Sequence, residues 1–243
     1  MYHSNTLTPY FEASFFLPRK DWVHELINVR KQFGETYQWR CDSRADIFND
    51  ELTDLLVRGG FKVIDLGLES ASPSQLLRMN KTRYPKRYLD KASRFIKLAA
   101  SLGVWVKVNI LLFPGESMNS ISETMEWLDR HRDHIKGVSV GPVIVFGLEH
   151  EAKAFLDAYK NTGVSVARTR SDISGVTRLN LSKEINYLRC NELALEISQE
   201  FMSQKDYFDL KSFSYLPRDY TYNDFCRDLE EDDNDLPFKV EPA

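Results

Sequence analysis

Up to Phe146 the chain alternates short runs of consecutive apolar residues with longer stretches whose apolar positions recur every three or four residues. The first kind marks strands buried on both faces, and the second marks amphipathic helices. Strands are predicted over residues 8–17, 37–42, 63–68, 104–113 and 138–146. Helices are predicted between them. One runs from Asp21, its expected N-cap, to Gly34; another covers residues 50–58, capped by Asn49 and stopped by Gly59-Gly60. Ser72-Pro73 opens a short helix, Pro85 opens a longer one over residues 86–102, and Asn119 or Ser120 begins the last. Repeated β-α units force a parallel sheet with crossover helices, and such sheets hold ligands at the carboxyl ends of their strands. Five strands are too few for a closed eight-stranded barrel, so the expected class is α/β with an open or partial barrel.

The pattern changes after Gly147. Residues 152–160 read as a helix, 164–166 as a short strand and 182–204 as a long helix, while the aromatic-rich stretch 207–225 has no clean period. Residues 229–236 are acidic, the composition of a disordered tail. Three parts are predicted: a barrel over residues 1–147, a mainly helical extension over its mouth at 148–228, and a tail at 229–243.

A composition of 42% apolar and 28% charged residues is that of an ordinary globular protein, and a net charge of -4 gives no support for nucleic acid or a membrane surface. No apolar run approaches the roughly 20 residues that span a bilayer, and Met1 to Asn5 has no signal-peptide character, so cytoplasmic residence is expected. Cys41, Cys190 and Cys226 are too widely spaced to suggest a disulfide framework or a metal set. His131 and His134 fall on a charged helix end, where solvation is the expected state.

The polar tips of the strands carry the candidate chemistry. Glu69, beside Ser70, could accept hydrogen bonds from ribose hydroxyls or a ligand ammonium, or cap the next helix through water. Lys81 could hold a carboxylate as a point charge, or be solvated. Pro114-Gly115-Glu116 permits close backbone approach by a ligand, or is a turn with an acid in the first helical turn. Arg44 and Asp46 read as a rim ion pair. Phosphate-binding glycine loops, zinc-protease motifs and a nucleophile elbow do not occur.

In order and spacing, Trp39 to Arg44, Gly67-Leu68-Glu69-Ser70, Leu76 to Lys81 and Pro114-Gly115-Glu116-Ser117 resemble the radical S-adenosylmethionine superfamily, in the branch with GxES and PGE[ST] motifs. The resemblance implies a partial (β/α)6 TIM-like barrel with S-adenosyl-L-methionine across its open end. It also implies a [4Fe–4S] cluster on a Cys-x-x-x-Cys-x-x-Cys loop, used for radical modification of a substrate. Carried over by position, Glu69 and Ser70 would contact the ribose or methionyl part, and Lys81 the methionyl carboxylate. Glu12 would lie beside the amino group, and Asn109 and Val143 would flank the adenine.

Two departures accompany the resemblance. Leu112 stands where a glycine is frequent, and the cluster loop is absent from this chain, whose residues 8–17 correspond to the second barrel strand. The sequence is therefore expected to be N-terminally truncated, missing the first strand and inactive alone. The cluster would come from an N-terminal half or a cluster-bearing partner chain, and the exposed edge strand would favour that association or self-association. The alternative is a degenerate homologue, a binding or partner subunit without redox chemistry. Substrate and any use of cobalamin are not encoded in a readable motif.

Overall fold

The computed structural model describes residues 8–12, 16–147, 150, 152–167, 175–229 and 235–240. Five parallel strands stand side by side in chain order: β1 Tyr10–Phe11, β2 Trp39–Arg44, β3 Phe61–Glu69, β4 Trp105–Leu112 and β5 Gly137–Pro142. The helices α1 Lys20–Phe33, α2 Asp50–Arg58, α3 Pro73–Arg78, α4 Pro85–Ser101 and α5 Met118–Asp129 connect them. A strand order that follows the chain without reversal keeps crossovers of one hand on one face of the sheet. Residues from α1, α2, α4 and α5 accordingly share one core with Ile64, Leu66, Leu68, Val106, Val108 and Ile110, the alternate residues of β3 and β4. The opposite, inner face carries Arg40, Asp65, Lys107 and Asn109, and this face positions the site.

Most predicted boundaries agree with the structure, and their caps explain why. Asn49 accepts from the Leu52 N–H at 2.9 Å, and Gly34 closes α1 at φ 65°. Four details differ. α1 begins at Lys20, so Asp21 is not its cap; it lies in the first turn, where the helix dipole favours an acid, and its carboxylate pairs with Arg19. Ser117 caps α5 in a reciprocal pair of hydrogen bonds with Ser120. Among the described residues β1 is short, pairing with β2 at Tyr10 and Phe11, with the Pro9 carbonyl accepting from the Arg40 N–H, while residues 13–15 of the predicted strand lie outside the described residues. The predicted 138–146 strand is two strands: β5 ends at Pro142, and β6 Ile144–Phe146 joins a separate sheet.

Of that second sheet the sequence showed only the short strand at 164–166, and not its pairing. β6 and the two-residue β7 Ser165–Val166 both pair antiparallel with β8 Val176–Asn180. α6 Lys153–Tyr159 lies between β6 and β7. The long predicted helix is shorter, α7 Tyr187–Phe201, because Leu181 and Ser182 first make a turn onto the Ile185 carbonyl and Asn186 then caps the helix. α7 contributes Cys190, Leu193 and Ile197 to the main core, and Ser198 Oγ accepts from the Val140 N–H of β5 at 3.2 Å. That bond occupies one ladder group on the outer side of β5 and blunts an edge.

α8 Gln204–Ser212 then turns inward, and α9 Tyr222–Asp228 follows it. Met202, Leu210 and Phe213 pack on Val63 and Trp105. The α8 part of the extension therefore covers the inner face near the strands' amino ends, not the mouth where it was expected. The cause is the apolar patch at that end, together with Lys136, whose Nζ lies 2.7 Å from Asp206 and 3.0 Å from Asp209. Of the predicted tail, residues 230–234 and 241–243 lie outside the described residues, but Phe238 is 1% exposed, with its ring 4.8 Å from that of Tyr207. Among the described residues no helix is long and apolar enough to cross a membrane.

Candidate functional site

β3 ends in an irregularity. Its register against β4 slips between Gly67 and Glu69, and Glu69 takes a left-handed φ of 68°, a conformation uncommon outside glycine. The bulge folds the Glu69 carboxylate back over Gly67, where a Cβ would come within 2.9 Å of Oε1. Lys81 Nζ reaches the same Oε1 at 3.1 Å. The space Gly67 leaves empty is thus the seat of a carboxylate–ammonium pair, and the two side chains remain 26% and 14% exposed. Two groups fix the pair. The Tyr88 hydroxyl lies 3.0 Å from the Gly67 carbonyl and 3.1 Å from that of Leu68, and Arg44 donates to the Lys81 carbonyl at 2.9 Å. Arg44 also makes the expected ion pair with Asp46, at 2.9 Å. Tyr88 was missed from sequence, where it is one apolar-looking position of α4 among several.

The other predicted residues are placed differently. Ser70 is buried beside Thr124 Oγ1, at 3.2 Å, and accepts from the Ser72 N–H at 3.0 Å, so it closes the turn beneath Glu69. Asn109 stands on the inner face of β4, level with Gly67 on β3 and Ser139 on β5. The Val143 N–H donates to the Leu112 carbonyl at 2.8 Å, just beyond β5. Glu12 is exposed, one residue past β1. The structure therefore joins Glu69 directly to Lys81; Ser70 lies in the turn after β3, Glu12 and Val143 lie just past the ends of β1 and β5, and Asn109 lies lower on the inner face.

The Pro-Gly-Glu turn is structural. Glu116 is buried, accepts from Ser120 Oγ at 2.6 Å and from the Phe113 N–H at 3.3 Å, and burial pushes its pKa up. Gly115 has φ 81°, and a Cβ there would come within 2.8 Å of the Arg78 guanidinium carbon. Arg78 occupies the close approach to the Gly115 backbone. Gly115→Ala is expected to lower stability by about 2 kcal/mol, because the left-handed φ costs an L-residue roughly 1–2 kcal/mol and Arg78 must also shift. Urea denaturation checks this; an unchanged midpoint would refute it.

Below the Glu69 tip, Asp65 gathers the inner face. It accepts from Arg40 at 2.5 and 2.7 Å, from Lys107 at 3.1 Å and from the Tyr10 hydroxyl at 3.2 Å. Burial raises the Asp65 pKa, but the Arg40 and Lys107 contacts outweigh it and hold the carboxyl below its usual range. This cluster forms one wall of a cavity of about 300 Å³ between the sheet and α8. A larger cavity of about 460 Å³ lies outside the sheet between α2 and α4, where Arg94 is already paired with Asp50. His131 is buried, not solvated: its ring stacks on Trp127 at 4.0 Å, and burial lowers its pKa.

Iron–sulfur clusters are held by thiolates brought close together. Cys41 is buried in β2, Cys190 is buried in α7, and Cys226 is exposed in α9, three separate elements. Burial pushes the Cys190 thiol up to about 12, away from the thiolate a cluster needs. Among the described residues no three His, Cys, Asp or Glu side chains form a metal-ligand group. The described residues therefore do not fit a cluster, whereas the partly exposed Glu69–Lys81 pair presents a carboxylate beside an ammonium.

The family model of the radical SAM superfamily matches residues 13–128. An uncharacterized methyltransferase of Pyrococcus horikoshii is 25% identical over 119 residues, which are 49% of this chain and 25% of that protein. Among solved structures, the cobalamin-dependent S-adenosylmethionine radical enzyme OxsB superposes with a TM-score of 0.50 at 13% identity, covering 80% of this chain and 34% of that one. The radical S-adenosylmethionine methyltransferase TsrM from Kitasatospora setae gives 0.48 at 15% identity, over 62% of this chain and 30% of that one. The chain thus spans about a quarter of the curated relative and a third of these neighbours. The family match covers the β/α units that build the Glu69 tip, so it is residues 13–128 that match the radical SAM superfamily.

Proposed function

We propose that this chain is the S-adenosylmethionine-binding core of a radical S-adenosylmethionine protein. One observation carries the reading: Glu69, held at φ 68° over Gly67, meets Lys81 at 3.1 Å at the carboxyl end of a central parallel strand. A carboxylate beside an ammonium matches a ligand that presents an ammonium, a carboxylate and a vicinal diol. Lys81 has donors left for the methionyl carboxylate, and Glu69 Oε2 is left for the amine or ribose. Glu12 and Val143 are the surrounding contacts in this reading, while Ser70, bonded to Thr124, supports the turn under Glu69, and Asn109 lies below the tip on the inner face.

The superfamily's chemistry needs a reduced [4Fe–4S] cluster, and we place its thiolates on a segment or partner chain beyond the described residues. The Pyrococcus horikoshii relative is named a methyltransferase, so methyl transfer is the first reaction class to test. The second reading, binding without redox chemistry, is favoured by the separation of the three cysteines.

Calorimetry tests the ligand. S-adenosylmethionine is expected to bind one to one, and Glu69→Ala and Lys81→Ala are each expected to weaken binding tenfold or more, about 1.4 kcal/mol. Unchanged affinity in both variants would remove the assignment. Anaerobic iron reconstitution separates the two readings: stoichiometric cluster absorbance from this chain alone would contradict the placement of the thiolates elsewhere.

A further inference from the structure

The inner face holds an imbalance of charge that the adenosyl reading does not use. The 300 Å³ cavity is bounded on the sheet side by Arg40, Asp65 and Lys107, and on the other side by Lys211 and Tyr215 in and beyond α8. Asp65 is the single carboxylate shared by Arg40 and Lys107. Lys211 is a third cation. Among the described residues its ammonium makes no hydrogen bond or ion pair, and the Tyr207 and Tyr215 rings flank it at 5.5 and 5.1 Å. Burial pulls its pKa down, Lys107 and Arg40 repel its charge, and Asp65 alone opposes them. Asp42 is a second carboxylate in the cavity, near Tyr10 and Asp65, so the three cations face two acids there; Glu12 stands exposed one residue past β1.

The rest of the cavity says what kind of anion fits. Asn109 and Ser139 face each other across β4 and β5, and their side chains make no hydrogen bond among the described residues. They are neutral groups that can accept or donate at one edge of a ligand. Met202, Leu210 and the tyrosine rings supply apolar surface. A bare inorganic ion would leave that surface unfilled, whereas binding pockets for organic molecules combine apolar walls with a few placed polar groups.

We propose that this cavity binds a small carboxylate carried on a flat apolar body, with the carboxylate at Lys211 and the body against Tyr207 and Tyr215. The site is separate from the Glu69 tip: Asp65 and Glu69 are four residues apart on one strand, roughly 13 Å at the rise of a β-strand. The assignment therefore stands or falls independently of S-adenosylmethionine binding.

Benzoate is the probe, with benzamide as its uncharged isostere and inorganic phosphate as the anion without a body. Calorimetry is expected to show saturable one-to-one binding of benzoate, at least tenfold weaker binding of benzamide and phosphate, and at least tenfold weaker benzoate binding by Lys211→Met. Glu69→Ala is expected to bind benzoate as the parent does. In NMR the Lys211 side-chain signal, identified by its loss in Lys211→Met, is expected to titrate at higher pH once benzoate is bound. No saturable benzoate binding, equal binding of benzamide, tighter binding of phosphate, or a folded Lys211→Met chain that binds benzoate unchanged would each overturn the proposal.

Discussion

Asp65→Leu is expected to lower folding stability by about 3–5 kcal/mol, the loss seen when one partner of a buried ion pair is removed. Arg40 and Asp65 are each only 3% exposed, and the guanidinium has no other carboxylate within bonding distance among the described residues. Its remaining bond, to the Leu210 carbonyl at 2.9 Å, satisfies a donor but not the charge. The double variant Arg40→Met, Asp65→Leu is expected to regain most of the loss, because a buried pair exchanged for apolar residues of similar volume is often neutral. Urea denaturation of the three chains measures both effects; a loss below about 1 kcal/mol for Asp65→Leu would contradict the burial argument. The sign with pH follows from the carboxyl's lowered pKa. Its contribution is complete above the unfolded-chain value of about 3.9 and is lost as pH falls through the lower folded value, so the parent's acid limb should flatten in Asp65→Leu. Glu116 has the opposite sign. Its raised pKa makes its contribution complete below the unfolded value and lost as pH rises through the folded one.

Trp39→Ala is the second large effect, expected at about 3–5 kcal/mol. The indole is fully buried, its N–H donates to the Gly59 carbonyl at 2.8 Å, and its ring lies 4.9 Å from Phe61 and 5.1 Å from Phe11. Truncation opens a cavity between β2 and β3 and leaves a buried carbonyl without its donor. Trp39→Phe is expected to lose only about 1–2 kcal/mol, since most of the volume is kept. Phe11 docks β1 onto this ring, so limited proteolysis near residues 8–12 should accelerate in Trp39→Ala and much less in Trp39→Phe. Equal losses in the two variants would show that packing is not the cause. Trp39 belongs to one of the motifs that carried the family resemblance, and its role here is to lock the first crossover.

The barrel units were legible because local signals agree with tertiary burial. Val63, Ile64, Leu66 and Leu68 are buried, Asn49 and Gly34 cap the helices they were expected to cap, and the Glu69–Lys81 contact follows from a bulged strand end and a short helix. Of the second sheet only β7 was legible, as the short strand at 164–166; β6 was merged into the preceding strand and β8 was missed, because strands of 3 and 5 residues pair across an intervening helix and carry little local signal. The cavity beneath α8 was hidden for a different reason. Asp65 and Lys107 interrupt apolar strands as single polar residues, and nothing local shows that Arg40, more than twenty residues earlier, and Lys211, on a helix without clean periodicity, face the same space. Ser70 shows the converse. It stands beside Glu69 in the motif, yet the strand's change of direction sends it inward to Thr124.

Backbone hydrogen exchange with and without S-adenosylhomocysteine puts the Glu69 tip to the most direct trial. Slower exchange is predicted for amides of residues 67–71 and 109–113, where the ends of β3 and β4 would close on the ligand, with no change at α2. Unaltered exchange at the Glu69 tip, with protection confined to other parts of the chain, would contradict the account.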